Sequence, residues 1–244
     1  MTGQFQSELL KLRTTRTAAV FLVLLVAVVL LGVFAQGFSL GLFDLGTEEK
    51  QVAIFESATS AMLFSAVIGL LAVTIEFRYG TIHPTLLFEP RRRVVIGAKL
   101  AASAVAGVVL GAVGAATAFG AGLVVLAERD VALALDTGQI AVIVGGTIAG
   151  SALWAMLGVS VGALIRNQVG ALVALIAWSS IVEAVLFAFV PSVGRYLPGE
   201  ASNALAGATT EHLLSAGAGA VVLVAWAVAL AVAGVARTER TDIA

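Results

Sequence analysis

The sequence predicts an all-α polytopic membrane protein with six transmembrane helices. The 244 residues are 60% hydrophobic and only 12% charged, whereas a soluble domain carries about 25% charged residues. Uncharged runs long enough to cross a bilayer recur six times, and most Lys and Arg residues lie in alternate connections between them. We expect residues 1–244 to form a single transmembrane domain.

The charged positions delimit the spans, because an ionised side chain at the bilayer centre costs at least about 2.5 kcal/mol. Each run holds the roughly 20 residues that a helix needs to cross a bilayer, and the fifth is interrupted only by Glu183. We predict spans near residues 17–36, 53–75, 94–117, 139–165, 169–190 and 214–236. The third and fourth runs exceed one bilayer crossing, so we expect those helices to tilt or project.

The first run follows Lys11, Arg13 and Arg16 and ends in Val33-Phe34-Ala35, which is also compatible with a cleaved signal peptide. Its apolar stretch is longer than that of a usual signal peptide. We therefore predict an uncleaved first span.

Lys and Arg residues indicate the cytoplasmic side, because short cytoplasmic connections carry an excess of them. Of the 14 Lys and Arg residues, only Lys50, Arg129 and Arg195 lie in one set of connections. The rest lie in the other set and at the two termini. We predict a multi-pass protein of the plasma membrane with both termini cytoplasmic.

The segment before the first span has Phe5, Leu9 and Leu12 on one helical face, with Glu8 and Lys11 away from it. That pattern suits a helix lying in the membrane interface. A basic leader that only sets the topology is an equally good interpretation.

Small residues recur four positions apart within the spans, as in Gly107 and Gly111 or Gly158 and Gly162. Such spacing lets helix backbones approach closely. We favour packing within one subunit, and pairing between subunits is the alternative.

The connection between the second and third spans, residues 76–93, mixes aromatic with charged residues. Gly80 permits a sharp turn, Thr81 can cap a short helix, and Pro84 falls where a first-turn proline is tolerated. Arg91 to Arg93 alone indicate mainly the cytoplasmic side. We expect several large apolar side chains to be exposed here, and exposed apolar side chains need a partner surface or the lipid interface. They are Phe77, Tyr79, Leu86, Leu87 and Phe88.

This connection resembles that of ABC-2 family permeases, the membrane subunits of ATP-binding-cassette exporters. In that family the second span runs into an E-x-x-x-G-T turn, followed by P-x-R and a basic start of the third helix. Segments 7–13, 164–168, 196–199 and 203–205 are also similar to the family, so the resemblance covers the whole chain through the order and spacing of degenerate motifs. The matching residues of the connection are Glu76, Gly80, Thr81, Pro90, Arg91, Arg92 and Lys99.

The resemblance implies a homodimer or a pair of related halves, with two copies of a separate ATPase beneath it. In the family the connection after the second span is a coupling helix seated on the ATPase. The predicted ATPase-coupling residues are therefore Glu76, Phe77, Arg78, Tyr79, Gly80, Thr81, His83, Arg91 and Arg92.

The chain lacks the G-x-x-x-x-G-K-[ST] loop that holds phosphates. We therefore expect no enzyme activity and no cofactor on this chain, with ATP and Mg on the partner ATPase. No metal site is expected, because there is no cysteine and the two histidines, His83 and His212, lie far apart. The balanced charge predicts no nucleic-acid partner.

Residues 191–212 are apolar but interrupted by Pro191, Pro198 and several glycines, which disfavours a continuous span. The resemblance implies short re-entrant helices in the outer leaflet, which are tolerated where protein covers the backbone. A plain surface loop is the alternative.

Two carboxylates lie inside predicted spans, Glu56 near the outer end of the second and Glu183 in the outer part of the fifth. Unpaired acids are costly there, so both are functional candidates. Because the family uses these spans for the subunit interface and substrate path, we hypothesise that the two acids rim an outward cavity. The alternative is that both reach interfacial water.

The predicted function is export of a hydrophobic or amphiphilic substrate, such as a drug, lipid or peptide, from the cytoplasm or inner leaflet. The alternative is a self-sufficient secondary transporter or channel, which would need a coupling-ion site near the midplane. An intramembrane enzyme is disfavoured because no catalytic cluster of His, Asp or Glu is evident.

Overall fold

The computed structural model describes residues 2–39 and 41–240 and is all-α. Six helices are long and apolar enough to cross a membrane, so the chain is a polytopic membrane protein and this prediction is confirmed. We number them spans 1 to 6. They cover Arg16–Ser39, Glu48–Tyr79, Arg92–Glu128, Thr137–Ile165, Gln168–Phe189 and Ala216–Glu239.

Shorter helices occupy the connections. The N-terminal helix, Thr2–Thr14, precedes span 1, and the linker helix, Ile82–Phe88, joins spans 2 and 3. A single helical turn, Leu42–Leu45, follows span 1. Two short helices, Pro191–Gly194 and Pro198–Leu205, precede span 6.

Two spans contain a departure from regular α-helix. Span 2 contains a 3₁₀ turn at Glu56–Thr59, and span 5 contains a π-helical turn at Trp178–Val182. Such turns locally change the direction in which side chains project. Each departure lies at or beside one of the acids predicted within the spans.

Span 3 is longer than predicted. The helix runs over 37 residues, Arg92–Glu128, and its length of roughly 55 Å exceeds the hydrocarbon thickness of about 30 Å. The predicted membrane span ends near residue 117, and the helix itself continues to Glu128, because no charged residue or proline interrupts the sequence between these two positions. A helix of this length must tilt or project in a bilayer, which agrees with the expectation for this span.

Spans 2, 3 and 4 form the centre of the bundle. Their most apolar windows are 67%, 44% and 44% buried, against 17%, 11% and 22% for spans 1, 5 and 6. Glycines permit the closest contacts: a Cβ atom at Gly158 would lie 1.9 Å from the Ala66 carbonyl oxygen, and one at Gly107 would lie 2.4 Å from that of Ser151. The small residues of these two sites therefore serve packing within one chain.

The segment before span 6 packs into the bundle. Pro198, Ala201 and Ser202 are buried, and the Trp154 indole nitrogen of span 4 donates to Ser202 Oγ at 2.9 Å. The Trp226 indole nitrogen of span 6 donates to the Tyr196 carbonyl oxygen at 2.8 Å. Protein thus covers this backbone, as the re-entrant prediction requires and a plain surface loop would not.

The N-terminal helix, the linker helix, the start of span 3 and the end of span 6 share one end of the bundle, which we call the basic end. The Arg92 guanidinium Nη1 donates to the Thr238 carbonyl oxygen at 2.7 Å, and Arg93 pairs with Glu239. These bonds connect the first turn of span 3 to the last turn of span 6. The predicted coupling residues all lie at this end.

Candidate functional site

A network of four charged residues joins three helices at the basic end. The Lys99 ammonium of span 3 donates to Glu8 Oε2 at 2.8 Å and to the Ala72 carbonyl oxygen at 3.0 Å, and it lies 2.8 Å from Glu76 Oε1. The Lys11 ammonium donates to Glu8 Oε1 at 2.7 Å and to Glu76 Oε1 at 2.8 Å. Two carboxylates and two ammonium groups therefore alternate, and they attach the N-terminal helix to spans 2 and 3.

Most of this network is buried. Lys99, Glu8 and Glu76 are 1%, 3% and 6% exposed, while the Lys11 side chain is 45% exposed. An unpaired buried charge is strongly destabilising, so each charge here depends on its opposite. Among the described residues, no group donates a hydrogen bond to Glu76 Oε2.

Lys11 is the member of the network that faces water, in a helix outside the spans. Burial lowers its pKa, but the hydrogen bonds from its ammonium to Glu76 and Glu8 raise the pKa more, and the net value lies above the ordinary one. Lys11 therefore stays protonated throughout the neutral range.

Sequence reasoning missed Glu8 and Lys11 as site residues. The interfacial pattern placed Glu8 away from the apolar face, yet Glu8 is the one buried side chain among residues 3–14. The sequence did contain a signal for a charged network, because Lys99 lies several residues inside the predicted third span and a lysine there requires a carboxylate partner. Glu8 and Glu76 were two of the few acids on the same side.

The linker helix protrudes from the basic end. Span 2 ends at Gly80, whose φ of 70° is left-handed, a conformation that favours glycine. A Cβ atom at this position would meet no other atom within 4 Å, so the backbone conformation and not the available space selects glycine. Tyr79, just before this glycine, and Leu87 and Phe88, beyond it, are 68%, 83% and 91% exposed. The predicted sharp turn and the predicted exposed apolar side chains are both present at these positions.

The start of the linker helix differs in detail from the prediction. Thr81 occupies the N-cap position, but its side chain makes no capping hydrogen bond to the described residues. Instead the Thr85 hydroxyl donates to the Thr81 carbonyl oxygen at 3.0 Å. Pro84 lies in the first turn, as predicted. The side chains of His83 and Leu86 lie outside the described part of the structure.

Two predicted coupling residues contact the turn between spans 4 and 5. The Phe77 ring lies 5.1 Å from the Arg166 guanidinium carbon, and Arg78 Nη1 donates to Gln168 Oε1 at 3.1 Å. Phe77 is half-buried, so the expectation that it is exposed was wrong. Its ring packs against a buried apolar cluster that includes Ile96 and Val159, and Arg166 lies over it.

The predicted arginines after the linker helix bind their own chain. Arg91 donates to both carboxylate oxygens of Glu89, at 2.8 and 3.0 Å, and this bond lowers the pKa of the Glu89 carboxyl. Arg92 binds carbonyl oxygens at the end of span 6. Arg91 remains exposed and could meet a partner, whereas Arg92 has a structural contact.

Glu183 occupies a separate, buried site near the far end. It is 1% exposed, and its Oε2 accepts a hydrogen bond from the Gly199 amide at 2.5 Å. The Trp178 side chain also interacts with this carboxylate, but Oε1 has no partner of normal distance and angle within the described ranges. Glu183 lines a cavity of about 200 Å³, together with Ser179, Ser180, Glu200 and Asn203.

Glu56 lies apart from this cavity. It begins the 3₁₀ turn of span 2, is half-buried, and accepts a hydrogen bond from the backbone of Thr209. The residues that line the Glu183 cavity include Thr59 but not Glu56. The structure therefore does not bring the two acids together in this cavity.

The fold and these sites define a polytopic membrane protein whose charged contacts concentrate at one end of the bundle. No group of three or more His, Asp or Glu residues that could hold a metal ion occurs within residues 2–39 and 41–240. A scan against protein-family models finds no match, and a search of curated proteins finds no similar sequence.

Proposed function

We propose that this chain is the permease subunit of an exporter of the ABC-2 type, powered by a separate ATPase. It moves a hydrophobic or amphiphilic substrate, such as a drug, lipid or peptide, out of the cytoplasm or inner leaflet. The basic end lies in the cytoplasm, because most Lys and Arg residues flank it. The membrane is the plasma membrane, and the functional unit contains a second permease copy or a related half.

The observation that carries this proposal is the exposed linker helix at the basic end. Leu87 and Phe88 present large apolar side chains outside the spans, and such a surface needs a partner protein or the lipid interface; the proposal assigns it to the ATPase. The linker helix follows span 2 after a single turn centred on Gly80. A force applied to the linker helix therefore acts directly on span 2.

The charged network supports the same proposal mechanically. Glu76 lies in the last turns of span 2, four residues before Gly80, and it is held by Lys99 and Lys11. A displacement of span 2 is thereby transmitted to span 3 and to the N-terminal helix. This arrangement fits a chain that converts movement of an ATPase into movement of its spans and performs no chemistry itself. ATP and Mg belong to the ATPase, two copies of which bind a pair of permeases.

Span 5 supports pairing with a second permease or contact with membrane lipid. Only 11% of its most apolar window is buried within the chain. Within the proposed function, Glu183 and Glu56 belong to the substrate path, since span 5 and the outer part of span 2 carry them.

One observation favours a second candidate function, a self-sufficient secondary transporter. Glu183 has an unpartnered oxygen among the described residues and borders a cavity with hydroxyl groups, which is the kind of acid that couples transport to protons or cations. Reconstitution of the chain alone separates the two functions. Substrate flux driven by an ion gradient without any ATPase would establish the second candidate.

The proposed function is tested by asking whether the chain assembles with an ATPase and whether truncating an exposed side chain of the linker helix weakens that assembly. The chain is purified from its native membranes and assayed for a bound ATPase and for ATP hydrolysis. Phe88→Ala is expected to weaken the assembly about tenfold, as truncation of an interface anchor does. Phe38→Ala is the matched control, because Phe38 is 60% exposed at the far end of span 1, which the proposal does not use. Absence of any bound ATPase, or equal loss in both variants, would contradict the proposal.

A further inference from the structure

Three arginines lie together at the basic end, where spans 3, 4 and 6 have their ends. Arg92 begins span 3, Arg166 follows the last residue of span 4, and Arg237 lies in the last turn of span 6. The Arg92 Nη1 donates to the Thr238 carbonyl oxygen at 2.7 Å, and the Arg166 Nη2 donates to the Arg237 carbonyl oxygen at 3.3 Å. Two guanidinium groups therefore converge on consecutive carbonyl groups of one helix. We call the three arginines the arginine cluster.

Like charges oppose one another in the arginine cluster. Burial lowers the pKa of Arg166, the positive charges of Arg237 and Arg92 lower it further, and no described carboxylate raises it. Glu239, at the same end of span 6, pairs with Arg93. Four arginines against one glutamate leave three positive charges in excess. Because arginine keeps its charge in proteins, this repulsion is relieved when an anion binds.

The backbone at Arg166 indicates that its side chain has a use. Its φ of 58° is left-handed, and helices that end in this way usually carry glycine or asparagine there. Such strain in a longer residue is a reason to look for a function. Arg166 is partly exposed, and only one hydrogen bond from its guanidinium, the one to Arg237, reaches the described residues. The guanidinium has five N–H donors, so it can also bind an anion.

The arginine cluster lies at the level where lipid headgroups meet the ends of the spans. Ile165 and Val169, on either side of Arg166, are 39% and 70% exposed. Apolar side chains there can contact an acyl chain while the arginines reach the headgroup. Arg237 is exposed, so a headgroup can approach the cluster from the surface of the bundle.

We propose that the arginine cluster binds the phosphate of an anionic phospholipid of the cytoplasmic leaflet, such as phosphatidylglycerol. Arg166 and Arg237 donate to the phosphate oxygens, and Arg92 adds its positive charge while it keeps its bond to span 6. A guanidinium presents its donors in a planar fork that matches phosphate oxygens. Basic pockets between spans on the cytoplasmic side bind anionic headgroups in the same way. The choice of leaflet rests on the orientation given under the proposed function, but the binding site does not depend on an ATPase.

Net charge separates this ligand from other phospholipids. Phosphatidylethanolamine and phosphatidylcholine also carry a phosphate, but each adds a cationic nitrogen, which the excess positive charge of the cluster repels. Phosphatidylglycerol has no cationic group and keeps its full negative charge. The cluster is therefore expected to prefer phosphatidylglycerol about tenfold over the two zwitterionic lipids.

The test is native mass spectrometry of the purified full chain in detergent, with an equimolar mixture of dioleoyl phosphatidylglycerol, phosphatidylethanolamine and phosphatidylcholine. The wild-type chain is expected to retain phosphatidylglycerol. Arg237→Gln is expected to lower this retention about fivefold, because the charge is lost while the carbonyl oxygen that binds Arg166 remains. Arg237→Lys keeps the charge and is expected to keep the preference. Arg16→Gln is the matched control, because Arg16 is exposed at the start of span 1, outside the cluster.

Arg166→Asn removes the second guanidinium. Asparagine tolerates the left-handed backbone at this position, so the turn after span 4 can keep its conformation while retention of the lipid falls. Excess inorganic phosphate at constant ionic strength is expected to leave the lipid in place, because it has no acyl chain to contact Ile165 and Val169.

Three results would overturn the proposal. They are equal retention of the three lipids by the wild-type chain, equal retention of phosphatidylglycerol by Arg237→Gln and Arg16→Gln, and displacement of the lipid by inorganic phosphate, which would assign the cluster to the free anion. Unchanged lipid retention by Arg237→Gln together with weaker assembly with an ATPase would assign the cluster to that partner, and would overturn the proposal as well. The lipid measurement uses no ATPase, so its failure is distinct from a failure of the proposed function.

Discussion

Replacement of Lys99 by methionine tests whether the charged network holds the basic end together. Methionine fills much of the same volume but cannot donate a hydrogen bond. The substitution removes the contacts of the Lys99 ammonium with Glu8 and Glu76, both at 2.8 Å, and with the Ala72 carbonyl oxygen at 3.0 Å. Glu8 and Glu76 then remain nearly buried and share only Lys11.

The expected cost is large because the lysine is 1% exposed. Removing one partner of a buried ion pair destabilises a protein by about 3–5 kcal/mol, since the other charge is left uncompensated. Lys50→Met is the control. Lys50 is 3.7 Å from Glu49 and both side chains are well exposed, so its loss is expected to cost no more than about 1 kcal/mol.

The assay has a global and a local readout. Unfolding of the purified protein in detergent is followed by the fluorescence of its three tryptophans. Because the chain has no cysteine, a Leu12→Cys probe reports attachment of the N-terminal helix through the rate of thiol labelling. Leu12 is half-buried and packs against the core, so we expect Lys99→Met to accelerate labelling and Lys50→Met to leave it unchanged.

A second substitution tests whether the loss of stability comes from carboxylates left unpaired. Glu8→Gln alone is expected to destabilise the protein, but in the Lys99→Met background it removes one of the unpaired carboxylates and should recover part of the loss. Such non-additivity is the signature of a direct interaction. Equal costs for Lys99→Met and Lys50→Met, or strictly additive effects of the Lys99 and Glu8 substitutions, would refute the reasoning.

Four further outcomes are expected. Gly158→Ala should destabilise the protein by about 1–3 kcal/mol through overpacking, because its Cβ atom would lie 1.9 Å from the Ala66 carbonyl oxygen. Gly145→Ala on the same helix is the control: its Cβ atom would meet no other atom within 4 Å, so the same unfolding assay should show no loss of stability. Gly80→Val should cost about 1–2 kcal/mol at its left-handed position and uncouple ATP hydrolysis from export, whereas Gly80→Asn, which tolerates that conformation, should retain coupling. The pKa of Lys11 is raised in the folded state, so its contribution to the free energy of unfolding is complete below pH 10.5 and is lost as the pH rises through the folded-state pKa. Stability measured across that pH range should therefore fall more for the wild-type chain than for Lys11→Met. Glu183→Gln preserves an acceptor for the Gly199 amide, so unfolding should change little while substrate export changes, and unaltered export at equal expression would exclude a role for this acid.

Much of the fold could be predicted because the cost of burying a charge in lipid depends on local sequence. The apolar runs between charged positions located all six spans, and Gly80 and Pro84 indicated the turn and short helix after span 2. Helix ends were less predictable. Span 3 continues to Glu128, since uncharged sequence alone does not say where a helix leaves the bilayer.

Side-chain contacts between distant helices escaped prediction for a different reason. Glu8 and Lys99 are 91 positions apart, and no local pattern relates them. The same holds for Phe77, which is covered by Arg166 from the turn after span 4. For Thr81 the local structure was predictable and the side-chain contact was not: its position at the start of the linker helix followed from the sequence, but the orientation of its hydroxyl did not.

The sequence by itself determined that this chain crosses a membrane six times, because hydrophobicity and charge are properties of each segment alone. Only the tertiary structure decided which charges pair, because pairing requires helices remote in sequence to meet at one level of the bundle. That meeting turned Glu8, Lys11, Glu76 and Lys99 from separate charged positions into one network. It also left one buried oxygen of Glu76 without a donor among the described residues.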